Sequence, residues 1–176
     1  MSKLIPYVEK DGEWSIPDPL MLGIYNKMVE QNLIDIVFVN GTVRDEESWM
    51  RFIKNKSNLI HVEGNEKFVE GIAWLNSFGH NYAFAHFCIF QEMWGKDTVP
   101  LGEKTLTYWF SLNDRGNALL DVILCQLPTS NNFAVSYIKK LGFNILGEIP
   151  QIRYSHNKNM AGATFGYLSR EEFHNG

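Results

Sequence analysis

Apolar residues return along this chain at helical and at strand spacing, and the order of the two predicts a fold. Leu20, Ile24 and Met28, with Leu22 and Tyr25 at the side of the stripe, recur at helical period as far as Gln31. Asp18-Pro19 reads as the start of that helix, with Asp18 as the cap and the proline in the first turn. Ahead of it, residues 1–17 hold Pro6, Gly12 and Pro17 and read as an irregular arm with a short strand at 4–8. Residues 34–40 are apolar, rich in β-branched side chains and bounded by Asn40-Gly41, which predicts a strand or a buried extended segment. A second helix opens at Asp45-Glu46-Glu47, acids where the helix dipole favours them, and buries Trp49, Phe52 and Ile53.

Strand signals follow at 59–63, 67–75 and 81–90, joined by a tight turn at Gly64-Asn65 and a second turn at 77–80. In the third strand Tyr82, Phe84, His86, Cys88 and Phe90 share one face, and Ala83, Ala85, Phe87 and Ile89 share the other. Both faces are apolar, so the strand is central and covered on both sides. A turn at 91–96 leads to a helix at 98–111, where Pro100 is tolerated only in the first turn. The apolar run 119–127 is a strand, the residues after Pro128 form a short helix stopped by Gly142, and 143–146, 149–155 and 163–168 read as strands, with a turn at 156–159. The sum is an α+β fold, one domain over residues 1–176, with helices on both faces of a sheet.

Composition narrows the possibilities. The chain is 45% hydrophobic and 14% aromatic, enough for a core, so disorder as a whole is excluded. A net charge of −4 leaves no basic footprint for nucleic acid. Cys88 and Cys125 sit inside apolar runs and read as buried, reduced thiols. No run of about 20 apolar residues is present and the N-terminus does not read as a signal peptide, so a soluble, cytoplasmic protein is expected and no membrane partner. Neither His-Glu-x-x-His nor Cys-x-x-Cys spacing occurs, and no metal is expected.

The stretch 128–143 places a helix N-terminus, with its free amides, at the end of a strand, a junction that can receive an anion. Within it Asn131, Ala134, Lys140, Leu141, Gly142 and Phe143 resemble the Asn-x-x-Ala/Ser-…-Lys-Leu-Gly-Phe signature of the GNAT acyl-CoA N-acetyltransferases. The look is that of the branch acting on ribosomal-protein N-termini, and the order of elements from residue 18 is similar to that fold. The resemblance implies a GNAT-like mixed, mostly antiparallel central sheet, acetyl-CoA as cosubstrate, and an amine acceptor, small molecule or protein. It also implies a pyrophosphate loop at Trp94, Gly95, Lys96, Asp97, Thr98 and Val99, and pantetheine contact at Asn131, which otherwise reads as a helix cap. Trp94-Gly95-Lys96 matches the family opening, whereas Asp97 and Val99 stand where the family has small residues. The family's acidic Tyr would fall at Ile138, and Tyr137, one step around the helix, is expected to pack instead.

Acyl transfer to an amine needs a group that takes up the amine's proton. His86, mid-strand just before the loop, is the first candidate, against the alternative of a core histidine. Glu70, on a strand face with Ile72 and Trp74, is the second, against the alternative of an edge or surface carboxylate. The loop departures keep a second function open: a catalytically inactive GNAT-like binding or assembly protein, of a kind tailed phages encode. Apolar residues on the tail strands leave a homodimer and packing within one chain both open.

Overall fold

The computed structural model describes residues 3–64, 68–95, 98–153 and 160–175. Strand β1 (Lys3–Pro6) is followed by a small ribbon, β2 (Glu9–Lys10) and β3 (Glu13–Trp14), and by helices α1 (Asp18–Glu30), α2 (Ile34–Val37) and α3 (Glu46–Ile53). A meander of β4 (Leu59–Gly64), β5 (Val69–Asn76) and β6 (Tyr82–Ile89) leads to α4 (Thr98–Ser111). A second ribbon, β7 (Asn113–Asp114) and β8 (Asn117–Ala118), precedes β9 (Val122–Pro128) and α5 (Asn132–Lys140). The chain closes on β10 (Asn144–Arg153), β11 (Met160–Ser169) and α6 (Arg170–Asn175). The described residues form one main sheet in the order β1-β4-β5-β6-β9-β11-β10. Its pairs are antiparallel except β6 with β9. The expected α+β class and central third strand are therefore present.

One apolar core lies on each face of the sheet. Met21, Ile24, Met28, Trp49, Ile53 and Trp74 belong to the α1–α3 side. Leu106, Trp109, Phe110, Ile123 and Ile138 belong to the α4–α5 side. Alternation along β5 sends Trp74 to the first core and Ala73 and Leu75 to the second, which is why the strand lacks a polar face. The approach of β5 to β6 is close at Gly71, where a Cβ would stand 2.8 Å from the Cys88 carbonyl oxygen. Both cysteines are buried and unbridged. No described helix is long and apolar enough to cross a membrane.

Four expectations change. Residues 34–40 do not form a strand: 34–37 are a single helical turn, and β1 holds the sheet edge beside β4. Leu33 and Phe38 are the ones buried, and local β propensity yields to that packing. The stripe of α1 is Met21, Ile24, Tyr25 and Met28, while Leu20 is exposed. Its cap is Pro17, without a side-chain bond, and Asp18 instead pairs with Lys54 at 2.6 Å. The strands expected at 143–146 and 149–155 are one bulged strand, Asn144–Arg153, as far as the described residues reach, with Pro150, which lacks a ladder donor, inside a register shift between Ile149 and Ile152. The expected turns at Gly64-Asn65 and at 156–159 reach outside the described residues.

A buried polar layer lies between β4 and α4. Glu63, 3% exposed, bonds with the Thr105 hydroxyl, and Trp109 Nε1 donates to His61 Nδ1 at 3.2 Å. Thr105 Oγ1 also lies 3.0 Å from the Leu101 carbonyl oxygen. A hydroxyl has one proton, so both contacts are satisfied together when Glu63 is protonated and donates to Thr105. Burial pushes the Glu63 carboxyl up to about 7, Glu70 adding to the rise and Thr105 and Lys104 opposing it. Unfolded, the group titrates near the ordinary carboxylate value of about 4.3. Below that value both states carry the proton. Between it and about 7 only the folded state does, so stability falls as pH rises, and above 7 the loss is complete. At about 1.4 kcal/mol per pKa unit the loss is on the order of 3 kcal/mol. Glu63→Gln, which cannot ionise, is expected to remove this slope. Chemical denaturation at pH 5 and pH 8 checks it, and equal slopes in both proteins would contradict it.

Candidate active site

The site begins where the two parallel strands part. β6 and β9 pair from Tyr82↔Val122 to Phe84↔Leu124, and no pairing across them is found beyond that point among the described residues. Each strand nevertheless runs on, β6 to Ile89 and β9 to Pro128. The result is a wedge whose backbone N–H and C=O groups are not used in a ladder, a natural seat for an extended chain that itself carries amides. A cleft of about 740 Å³ occupies it, lined on the two strands by Ala85, His86, Phe87, Gln126, Leu127 and Pro128. Asn131, the cap of α5, and Ala134 and Tyr137 within it close one side, and residues of the α2–α3 region, among them Phe38, Arg51 and Phe52, close the other.

His86 is held tightly in this cleft. Its ring stacks on Trp74 of the neighbouring strand, centroids 4.9 Å apart and planes at 7°, because Trp74 and His86 are register partners. Nε2 lies 3.1 Å from Asn76 Oδ1. An amide oxygen only accepts, so the Nε2–H donates to it and Nδ1 keeps the lone pair. Burial pushes the imidazole down to about 4, so the ring is neutral at physiological pH.

Glu70 is buried, which removes the surface-carboxylate alternative. It shares the β5 face of Trp74 as expected, but it sits at the other end of the strand, where its carbonyl accepts from Phe90 N at 3.0 Å. It is not among the residues lining the cleft, and it is not brought together with His86. Alternation identifies a face; it does not say how far along that face a residue stands.

Asn131 caps α5, its Oδ1 accepting from Ala134 N at 3.1 Å, and it lines the cleft at the same time. Trp94 is exposed and tied down by a bond from Nε1 to the Ile89 carbonyl at 2.9 Å. Gly95 follows with φ +100°. Lys96 and Asp97 lie outside the described residues. Thr98 opens α4 and donates from Oγ1 to the Met93 carbonyl at 2.9 Å. Val99 packs against the α4–α5 core, so its side chain is turned inward rather than lying over the loop.

Tyr137 does more than pack. It lines the cleft, meets Phe87 edge-on at 5.8 Å, and donates its phenol proton to the Thr98 carbonyl at 3.2 Å. Burial, with Glu63 and Glu103 nearby, raises its pKa, so that proton stays. The bond ties α5 to the first turn of α4. Asn76 and Gln126 also line the cleft, and no motif in the sequence marks either of them. The register of the β5–β6 hairpin is the signal for Asn76, because it sets this residue diagonally across from His86.

Comparison with known proteins bears on the fold. No protein-family model and no curated protein sequence matches the chain. Solved structures do. The crystal structure of spermidine N-acetyltransferase from Vibrio cholerae in complex with CoA and spermine superposes with a TM-score of 0.72 at 18% identity, covering 98% of each chain. Mutant forms of the spermidine/spermine N-acetyltransferase SpeG from the same organism superpose with a TM-score of 0.69 at 17% identity, covering 99% of this chain and 98% of theirs. At such identities the likeness establishes the fold: this chain has the GNAT architecture over nearly its whole length.

Proposed function

We propose that the protein is an acetyl-CoA-dependent N-acetyltransferase that acts on an amine. The observation that carries this reading is the wedge between β6 and β9, opening beside a fixed, neutral histidine. The fold it shares with a polyamine acetyltransferase crystallised with CoA and spermine supports the reading. The wedge backbone and Asn131 hold the pantetheine arm, whose amides suit unpaired strand edges. The segment from Trp94 to Val99, with Gly95, Lys96, Asp97 and Thr98 between, approaches the pyrophosphate through the amides at the start of α4. Acetyl-CoA supplies a thioester, and the amine nitrogen forms the new C–N bond at its carbonyl carbon as the C–S bond breaks.

His86 Nδ1 takes the proton the nitrogen sheds and passes it to water in the cleft. Its low basicity suits a relay rather than a store. The thiolate leaves with its electron pair and takes a proton from solvent, since Ile138 stands where the family places an acidic Tyr. Asn76 and Trp74 are positioning residues for the imidazole. The protein works in the cytoplasm, where its two buried thiols stay reduced. Pairing of two copies through the exposed Leu146 and Ile149 of the edge strand β10 belongs to the same reading. No feature of the cleft favours the alternative of an inactive assembly protein, or a phage origin.

Titration of acetyl-CoA tests the proposal directly. Saturable binding by calorimetry is expected at roughly micromolar to sub-millimolar concentration. Ala134→Trp, which puts a large ring on the cleft wall, is expected to abolish it. Absence of binding by the unaltered protein at millimolar acetyl-CoA would refute the reading.

A further inference from the structure

The half of the cleft that faces α2 and α3 has a chemistry narrow enough to say which amine it takes. A column of three rings leads outward from the candidate relay. His86 stacks on Trp74, and Trp74 stacks on Phe38 with centroids 5.4 Å apart and planes at 11°. Phe52 stands edge-on to both Phe38, at 5.1 Å, and Trp74, at 5.5 Å. Around the rings the polar lining consists mainly of neutral amides, such as Asn55 and Asn58, and one guanidinium, Arg51. Arg51 is ion-paired with Glu47 at 2.7 Å on an exposed face. Among the described lining residues there is no carboxylate.

A nitrogen placed beside His86 therefore sets its substituent toward Phe52, the half-buried ring of the group, with Ile36, Val37 and Val39 lining the same half of the cleft, while Trp74 and Phe38 lie buried. For a polyamine that substituent carries further ammonium groups. Each would leave water for a described lining that offers no carboxylate, and a cation desolvated without a partner binds poorly. An aromatic or branched alkyl body meets the opposite situation, because ring faces and edges are what it packs on best. The cleft, at about 740 Å³, must also take the end of the acyl donor's arm. That leaves room for a small body rather than an extended chain.

We infer that the acceptor is a small primary amine with a single amino group on an aromatic or branched apolar body, and that polyamines are poor acceptors for this chain. The inference rests on the acetyl-transfer reading and deepens it. Phe52 sets the specificity, and a described lining of amides without a carboxylate is the filter against additional positive charge.

Two measurements test it. Calorimetry with 2-phenylethylamine and with spermidine examines the cleft without the acyl donor, so its outcome is separate from whether acetyl-CoA binds. Phenylethylamine is expected to bind at least about tenfold more tightly, the scale on which apolar pockets discriminate. Thiol release from acetyl-CoA then compares phenylethylamine, ethylamine, spermidine and a hexapeptide with a free α-amine. The kcat/KM for phenylethylamine is expected to exceed the other three by about tenfold or more. Phe52→Ala should lower that value about tenfold and bring it close to the ethylamine value. Arg51→Glu combined with Asn55→Asp should raise spermidine turnover. Spermidine or the peptide as the better ligand or substrate would overturn the inference, as would a Phe52→Ala protein that keeps the full preference for phenylethylamine.

Discussion

His86→Ala is expected to lower kcat/KM for acetyl transfer by about 100- to 10,000-fold while acetyl-CoA affinity stays within about twofold. The argument starts from placement. His86 lines the wedge into which the thioester would be led, and Nδ1 is its unprotonated nitrogen, since Nε2–H is committed to Asn76 Oδ1 at 3.1 Å. A proton leaving the attacking nitrogen has no other imidazole or carboxylate among the described residues that line the cleft. The ring is not required for the wedge itself, which the backbone of β6 and β9 forms. Hence turnover should fall and donor binding should survive. The alternative role, a core histidine that only fills space beside Trp74, makes a different forecast: lower stability and near-normal turnover per folded molecule. Added imidazole separates the two, because it should restore part of the activity of His86→Ala if the lost group carried a proton. Unaltered kcat/KM in the folded variant would remove His86 from the mechanism.

The pH dependence follows from the same site. With the imidazole pushed down to about 4, the ring is already neutral across the range in which an enzyme of this kind is assayed. No limb between about pH 5 and 8 should arise from His86. The rise of kcat/KM with pH should instead track deprotonation of the acceptor, so it should move when one amine is exchanged for another of different basicity.

Much of this is legible in the sequence, for reasons that differ from element to element. The helix at 98–111 and the three strands of the meander carry strong local signals, proline in a first turn and apolar alternation between turns, and the structure keeps them nearly unchanged. The 128–143 stretch is equally clear, since the cap Asn131 and the stop Gly142, at φ +88°, are both demanded by local backbone chemistry. What local pattern misses is whatever the tertiary partner decides. Residues 34–40 look extended by composition, yet 34–37 form a helical turn flanked by the buried Leu33 and Phe38. Alternation places Glu70 on the right face of β5 but at the wrong end for the cleft. The buried pairing of Glu63 with Thr105 joins residues 42 apart, and no local pattern reports it. His86 is identified by position alone. Its stacking on Trp74 and its bond to Asn76 require the hairpin register to be carried through residue by residue.

Trp49→Ala is expected to cost about 3–5 kcal/mol of folding stability, the usual range for an aromatic removed from a well-packed core. Trp49 is fully buried, on the side of α3 that the helical spacing of Trp49, Phe52 and Ile53 turns inward. Its indole N–H donates to the Met21 carbonyl of α1 at 2.9 Å, and its ring meets Tyr25, Phe38 and Phe52 at 6.1–6.3 Å. One side chain thus joins α1, α3 and the segment after α2. Alanine leaves a cavity lined by aromatic rings, which cannot collapse without moving a helix. Against a typical total of about 5–15 kcal/mol the loss is large, and it corresponds to a fall in melting temperature of roughly 10 °C. Urea denaturation with an unchanged m-value checks it. Trp49→Phe keeps a ring but loses the bond to Met21, and should cost less, about 1–2 kcal/mol. Function should respond unevenly, because Phe38 and Phe52 belong to the proposed acceptor surface while the wedge between β6 and β9 lies on other elements. In Trp49→Ala protein that remains folded, KM for the amine should rise and acetyl-CoA affinity should hold. A parallel loss of both would mean that the two halves of the cleft are coupled through the sheet rather than built separately on its faces.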